Sequence, residues 1–307
     1  MCKRSMPTSY RTTKTSSNTT ARFVVTLAAV LFAAQLAVAA GSYSDYNDTT
    51  NAIDPAIPAR IDGQINPIFT AWASGYTDYL PAPSAYAQWQ TPENILAAPD
   101  GDIVSLGDLD QAQINAGGIP GRITLTFAKS IYNGPGADFA VFENGSYYNL
   151  PEYNFVGFLA ELGYVEVSSN GTDFVRFPCV SQTPQPEGDY SYLLLDSTDI
   201  FNLAGKHDMD HGTPFDLDDV AAAAAVVNGL VDINDIQYVK IVDVPGSGDF
   251  LDSNDNPIYD AWWTYDSGGM DLNAVGAINT VPEPSSLALL AAVALGLAGY
   301  RVVRRPK

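Results

Sequence analysis

The densest run of chemically useful side chains is Asp249-Phe250-Leu251-Asp252-Ser253-Asn254-Asp255-Asn256-Pro257-Ile258-Tyr259-Asp260. Alternating Asp252, Asn254 and Asn256, flanked by Asp249 and Asp260, can aim several hard oxygens at one point. Calcium takes about six to eight such ligands from a flexible loop. The run departs from an EF-hand, because it lacks the internal glycine and the closing glutamate. It predicts a Ca2+ site on Asp249, Asp252, Asn254, Asn256 and Asp260, with Asp243 and Asp271 as candidates to complete the shell. The same residue types are also ordinary turn formers.

A second group of acids is Asp138, Glu143 and Glu161, around the turn Phe142-Glu143-Asn144-Gly145. Paired carboxylates at a suitable separation perform acid/base work on glycosides. They also form turn hydrogen bonds or hold a structural cation, and those roles are preferred here. His207 and His211 lie four apart, with Asp208 and Asp210 between them. On a helix they could hold a transition metal, but Gly205 and Gly212 flank the run and favour a solvated loop. The chain contains no Gly-x-Ser-x-Gly, His-Glu-x-x-His or P-loop pattern. No catalytic residue is assigned. Trp72, Trp89, Trp262 and Trp263, with many tyrosines, could stack on sugar rings, although aromatics also fill β cores.

The elements that must position these residues are mostly strands. Arg122 to Phe127 alternates, and Asp138 to Phe142 is apolar on both faces, as a central strand requires. Leu162 to Ser168 and Phe174 to Phe177 flank Asn170-Gly171, a hairpin signal. Ile236 to Asp243 alternates, and Ala274 to Ile278 closes the series. One helix is predicted, with Thr213 as N-cap, Pro214 at its first position, Ala221 to Ala225 in its body and Asn228-Gly229 as its stop. Asp216, Asp218 and Asp219 suit its positive end as capping groups. The fold class is all-β, a jelly-roll-like β-sandwich with one inserted short helix, plus an N-terminal signal peptide and a C-terminal membrane helix.

Charge narrows the partners. Between Gly41 and Thr280 the bases are Arg60, Arg122, Lys129, Arg176, Lys206 and Lys240, against thirty-four acids, a net charge of −28. Such a field repels phosphate backbones and attracts divalent cations, so nucleic acid is excluded as a partner. Cys179 is the one cysteine beyond Cys2, so no disulfide forms once the leader is removed.

Both ends read as processing segments. Residues 1–40 combine a basic start, an apolar run from Phe23 to Ala34 and the small residues Ala37-Val38-Ala39-Ala40, the order of a secretory signal. Residues 41–60 form a polar leader, residues 61–280 the acidic β-domain, and residues 281–307 a tail. The tail begins Val281-Pro282-Glu283-Pro284, continues apolar through Tyr300 and ends with Arg301, Arg304, Arg305 and Lys307. An apolar span with a basic end is the pattern of a membrane helix held at the cytoplasmic side.

The tail resembles a PEP-CTERM sorting signal, with Pro282-Glu283-Pro284 in the motif. That resemblance implies an exosortase-type protease as partner, transient anchoring in the inner membrane, and delivery to the surface of bacteria that make extracellular polysaccharide. The core resembles a bacterial secreted or cell-surface family through Gly134-Pro135-Gly136-Ala137-Asp138-Phe139-Ala140-Val141-Phe142-Glu143-Asn144-Gly145 and Gly268-Gly269-Met270-Asp271-Leu272-Asn273-Ala274-Val275-Gly276. It implies a surface location and no settled activity. The expected function is an exported surface or matrix protein, non-catalytic, calcium-stabilised and carbohydrate-binding. A polysaccharide hydrolase and a purely structural coat component stay open as alternatives.

Overall fold

The computed structural model describes residues 56–282, apart from 151–154, 187–194 and 265. The main strands, in chain order, are β1 (Ile57–Pro58), β2 (Ala71–Trp72), β3 (Gly75–Leu80), β4 (Val104–Ser105), β5 (Arg122–Ile131), β6 (Phe139–Glu143), β7 (Gly163–Ser168), β8 (Val175–Arg176), β9 (His211–Phe215), β10 (Ile236–Asp243) and β11 (Asp271–Ala277). A 6-stranded sheet runs β1-β9-β6-β11-β2, with β4 also paired to β11. A 5-stranded sheet runs β8-β7-β10-β5-β3. Every pairing in both is antiparallel. Short hairpins lie beside them, among them Ser247–Leu251 with Pro257–Tyr259.

The period of two places alternate side chains of each strand on opposite faces. Phe139 and Val141 of β6, with Leu272 and Val275 of β11, share one buried cluster with Ile123 and Leu125 of β5, Val165 and Val167 of β7, and Val239 and Ile241 of β10. The two sheets therefore face each other across a common apolar core. Within it Phe139 stacks on Phe215 with ring centroids 5.3 Å apart. The other face of β6 is also covered, because Ala140 and Phe142 join Phe69 and Ala274 in a smaller cluster. That is why Phe139 to Phe142 carries no polar side: the strand lies between β9 and β11 and is packed on both faces.

The hairpin at Asn170-Gly171 forms as its sequence predicts, with Glu166 opposite Arg176 and Val167 opposite Val175. Gly171 adopts φ +74°, which a side chain would resist. Ser168 Oγ and Asn170 Oδ1 accept the exposed backbone N–H groups of the turn.

The predicted helix is corrected in its start and its length. Thr213 and Pro214 belong to β9, paired with Val141 and Ala140. Only His211 and Gly212 of β9 pair with β1, so Pro214 sits where its missing N–H removes no ladder bond on that side. Asp216, rather than Thr213, is the cap, and it accepts the N–H of Asp218 at 2.9 Å. The helical chain is a 3-10 turn at Leu217–Val220 and a short α-helix at Ala224–Val227. Asp218 and Asp219 accept from Asn133 and Asn202, so they tie this segment to its neighbours.

The outer edges of the sheets are short. β1, β2 and β8 have two residues each, as does β4, which shares the margin along β11 with β2, and β1 includes Pro58. The fourth edge, β3, is longer but loses register between Thr77 and Leu80, where Asp78 takes φ +51°. Among the described residues no helix is long and apolar enough to cross a membrane. The expected signal peptide, most of the polar leader and the expected membrane helix lie outside the described residues.

Candidate functional site

Two inward rows that are apolar through the core end in an acid at one end of the sheets. On β6 the row is Phe139, Val141, Glu143, and on β10 it is Val239, Ile241, Asp243. Glu143 is 2% exposed and Asp243 1% exposed. β11 starts at this end with buried Asp271, whose neighbour Leu272 pairs with Glu143. Three more buried acids arrive from connecting segments. Asp108 follows β4, Glu161 precedes β7, and Asp260 follows the strand Pro257–Tyr259.

Backbone donors hold these carboxylates in place. Met270 N–H donates to Asp243 Oδ1 at 2.8 Å, and Leu162 N–H to Asp260 Oδ2 at 2.7 Å. Gly145 N–H donates to Glu143 Oε2 at 2.7 Å, and Leu109 N–H to Asp108 Oδ1 at 2.7 Å. Thr264 donates to Asp108 Oδ2 through both its N–H and its hydroxyl. Asn144 Nδ2 donates to Asp271 Oδ2 at 3.1 Å. Asp243 Oδ2 is sealed from solvent and accepts no hydrogen bond.

Ionising all six together is unfavourable. Burial, opposed in part by backbone and Thr264 hydrogen bonds, pushes Asp108 up to about 7. Burial likewise lifts Asp271 to about 7. Burial and the neighbouring acids raise Glu143, Glu161, Asp243 and Asp260 well above the ordinary carboxylate range. The mutual repulsion links the group: Glu143 and Glu161 both feel Asp271, Asp243 feels Asp108, and Asp260 feels Asp243. Among the described residues, no three His, Cys, Asp or Glu side chains already stand in a metal-holding arrangement.

The sequence-predicted residues are thus divided. Glu143 and Glu161 come together, and Asp243, Asp260 and Asp271 join them. Asp138 lies beyond the opposite end of β6, where it accepts from the N–H groups of Gly134 and Leu217 and from Asn279 Nδ2. Asp252 sits at the tip of its hairpin and Asp260 at the base. The Asp252 carboxylate accepts the N–H groups of Ser181, Asn254 and Asn256 and the Asn256 side-chain amide. Asn254 and Asn256 are exposed, and exposed Asp249 accepts from Gln111 and Ser247. His207 is buried in a turn, whereas His211 opens β9 and pairs with Asp208, so the two do not share a helical face. Asp108 went unrecognised in the sequence. It lies between Gly107 and Leu109, two residues before Asp110, and nothing local distinguishes it from an ordinary loop acid.

The tryptophans also divide. Trp72 packs against Phe69 and Phe142 at centroid distances of 4.7 and 5.7 Å. Trp262 is anchored by its Nε1–H to Leu109 O, and Trp89 by its Nε1–H to Asp266 Oδ1. Trp263 is 46% exposed and Tyr86 52% exposed. These two rings line a groove of ≈ 370 Å³ with Pro83, Ser84 and Gln113. Asp266 fixes one wall, since its carbonyl accepts Tyr86 N–H and its carboxylate accepts from Gln88 and Trp89. Gln113 is fixed by a reciprocal capping box with Asp110 on the short helix Gln111–Asn115. Ser84 Oγ accepts Asp108 N–H, which joins the floor of the groove to the acid cluster.

Comparison with known proteins speaks to the tail. No curated protein matches the chain. Residues 280–305 match the PEP-CTERM protein-sorting motif. That motif implies processing by exosortase, and proteins that carry it are sorted to the cell surface or outside the cell. The chain is therefore an exosortase-sorted, exported surface protein with a mainly β, antiparallel body.

Proposed function

We propose that the protein is a non-catalytic, carbohydrate-binding component of the cell surface or extracellular matrix, built on a β-sandwich of jelly-roll type. One observation carries this: the exposed rings of Tyr86 and Trp263 line one groove with the amide of Gln113 and the hydroxyl of Ser84. Aromatic faces stack on the apolar faces of sugar rings, and an amide beside them supplies hydrogen bonds to hydroxyls. The net charge of −28 between Gly41 and Thr280 opposes a polyanionic ligand. Neutral polysaccharide is the occupant that this chemistry fits.

The hydrolase alternative is disfavoured by burial. Glu143 and Glu161 are 2% and 8% exposed, so neither meets a polymer in solution. A glycan array with the purified full chain tests the proposal. Neutral glycans should bind, and Trp263→Ala and Tyr86→Ala should each abolish the signal while the circular dichroism spectrum stays that of the wild type. An array with no binding, or binding that both variants leave intact, would refute it.

A further inference from the structure

We infer that the strand-end acids form a buried divalent-cation site, with Glu143, Glu161, Asp243 and Asp260 bearing the ligands and calcium as the ion. The inference does not depend on the aromatic groove. Two observations carry it. The inward rows of β6 and β10 turn from apolar to acidic at the same end, so carboxylates from both sheets enter the space between them. The Asp243 carboxyl lies close enough to Asp108 and Asp271 to be repelled by both, and its Oδ2 is fully buried with no hydrogen-bond partner. A sealed, open acceptor among other carboxylates calls for a positive ligand.

The donor chemistry selects the ion. All four side chains offer oxygen, with no thiolate or imidazole among them, and this favours a hard cation. Magnesium demands a regular octahedron and retains several waters, whereas calcium accepts irregular carboxylate cages. Backbone N–H bonds from Gly145, Leu162 and Met270 already orient Glu143, Asp260 and Asp243. Among the described residues these side chains do not already stand in a metal-holding arrangement, so binding would require the carboxylates to close on the ion.

The test uses the purified full chain, stripped with EDTA and studied in about 0.15 M salt to screen weak surface binding. Calcium is titrated by calorimetry. Terbium is titrated by emission excited through tryptophan, because Trp262 bonds to Leu109 beside Asp108. We expect saturable calcium binding with a dissociation constant of about 10⁻³ M or tighter, the range of extracellular modules. Asp243→Asn with Glu143→Gln should weaken both signals by about tenfold or more, with an unchanged circular dichroism spectrum. If that double variant does not fold, Asp243→Asn alone gives the same comparison, since asparagine keeps an acceptor for Met270 N–H. Asp252→Asn should leave both signals intact. The inference is overturned if wild type shows no saturable signal, or if binding survives the loss of Asp243 and Glu143. It is also overturned if binding is lost in Asp252→Asn instead, which would place the ion in the hairpin turn.

Discussion

Replacing Asp271 by asparagine separates the electrostatic cost of the acid cluster from its packing. Glu143, Glu161, Asp243 and Asp266 all repel Asp271, and Tyr79 faces it as well. Asparagine keeps a carbonyl oxygen for the bond from Asn144 Nδ2 and removes the charge. Burial raises the Asp271 carboxyl from 3.8 to about 7 in the folded protein. A raised carboxyl favours the folded state only while it is protonated. Its contribution is complete below about pH 4 and is lost as pH rises through about 7. Over that interval, at roughly 1.4 kcal/mol per unit, the ceiling is about 4 kcal/mol. Charge shared with neighbouring acids reduces it to about 2–4 kcal/mol. For a domain of this size, 1 kcal/mol corresponds to about 2–4 °C, so the gain is of order 4–16 °C. The assay is thermal melting followed by circular dichroism, in EDTA, from about pH 4 to pH 9. Asp271→Asn should melt with wild type at the acid end and clearly later at pH 8. A variant that tracks wild type at every pH, or melts earlier at pH 8, would refute the electrostatic account.

Gly246→Ala should destabilise the protein by about 1–3 kcal/mol. A methyl group there would overlap the Asp260 carboxylate and the Asp260 backbone nitrogen. Urea unfolding measures the loss, and an unchanged midpoint would contradict so close an approach. Cys179 is buried, and burial pushes its thiol up to about 11. It should resist thiol reagents at pH 8 in the native protein and react only on unfolding. Rapid labelling of folded protein would show that the Cys179 pocket opens freely.

Alternation made much of the sheet structure readable. Ile236 to Asp243 is a strand over the predicted span, and the strand begun at Arg122 runs on to Ile131. Asn170-Gly171 marked its turn, because few other residues accept the backbone angle that Gly171 adopts. The helix was less legible. Pro214 and the acids after it form a good helix start locally, yet pairing of Thr213 to Phe215 with β6 outweighs that preference. The acid cluster was only partly visible. Glu143 and Asp243 each continue an apolar row by the same parity, a signal that an end of the core turns polar. Asp108, Glu161 and Asp260 come from separate connections, and only the closure of the two sheets brings them near. Conversely, the local density of Asp252, Asn254 and Asn256 reflects a turn in which the Asp252 carboxylate gathers backbone N–H groups.

The brevity of the main sheets' edges bears on how this surface protein meets copies of itself. A long, flat outer strand offers unpaired N–H and C=O groups to a neighbouring copy, and that contact propagates into fibres. Among the described residues, the margins of the two main sheets other than β3 are built of two-residue strands, β1, β2, β4 and β8, and β1 carries Pro58. The remaining margin is kinked at Asp78. The rims of the two main sheets are thus poor templates for pairing with a neighbouring copy, which leaves their faces and loops to meet other molecules.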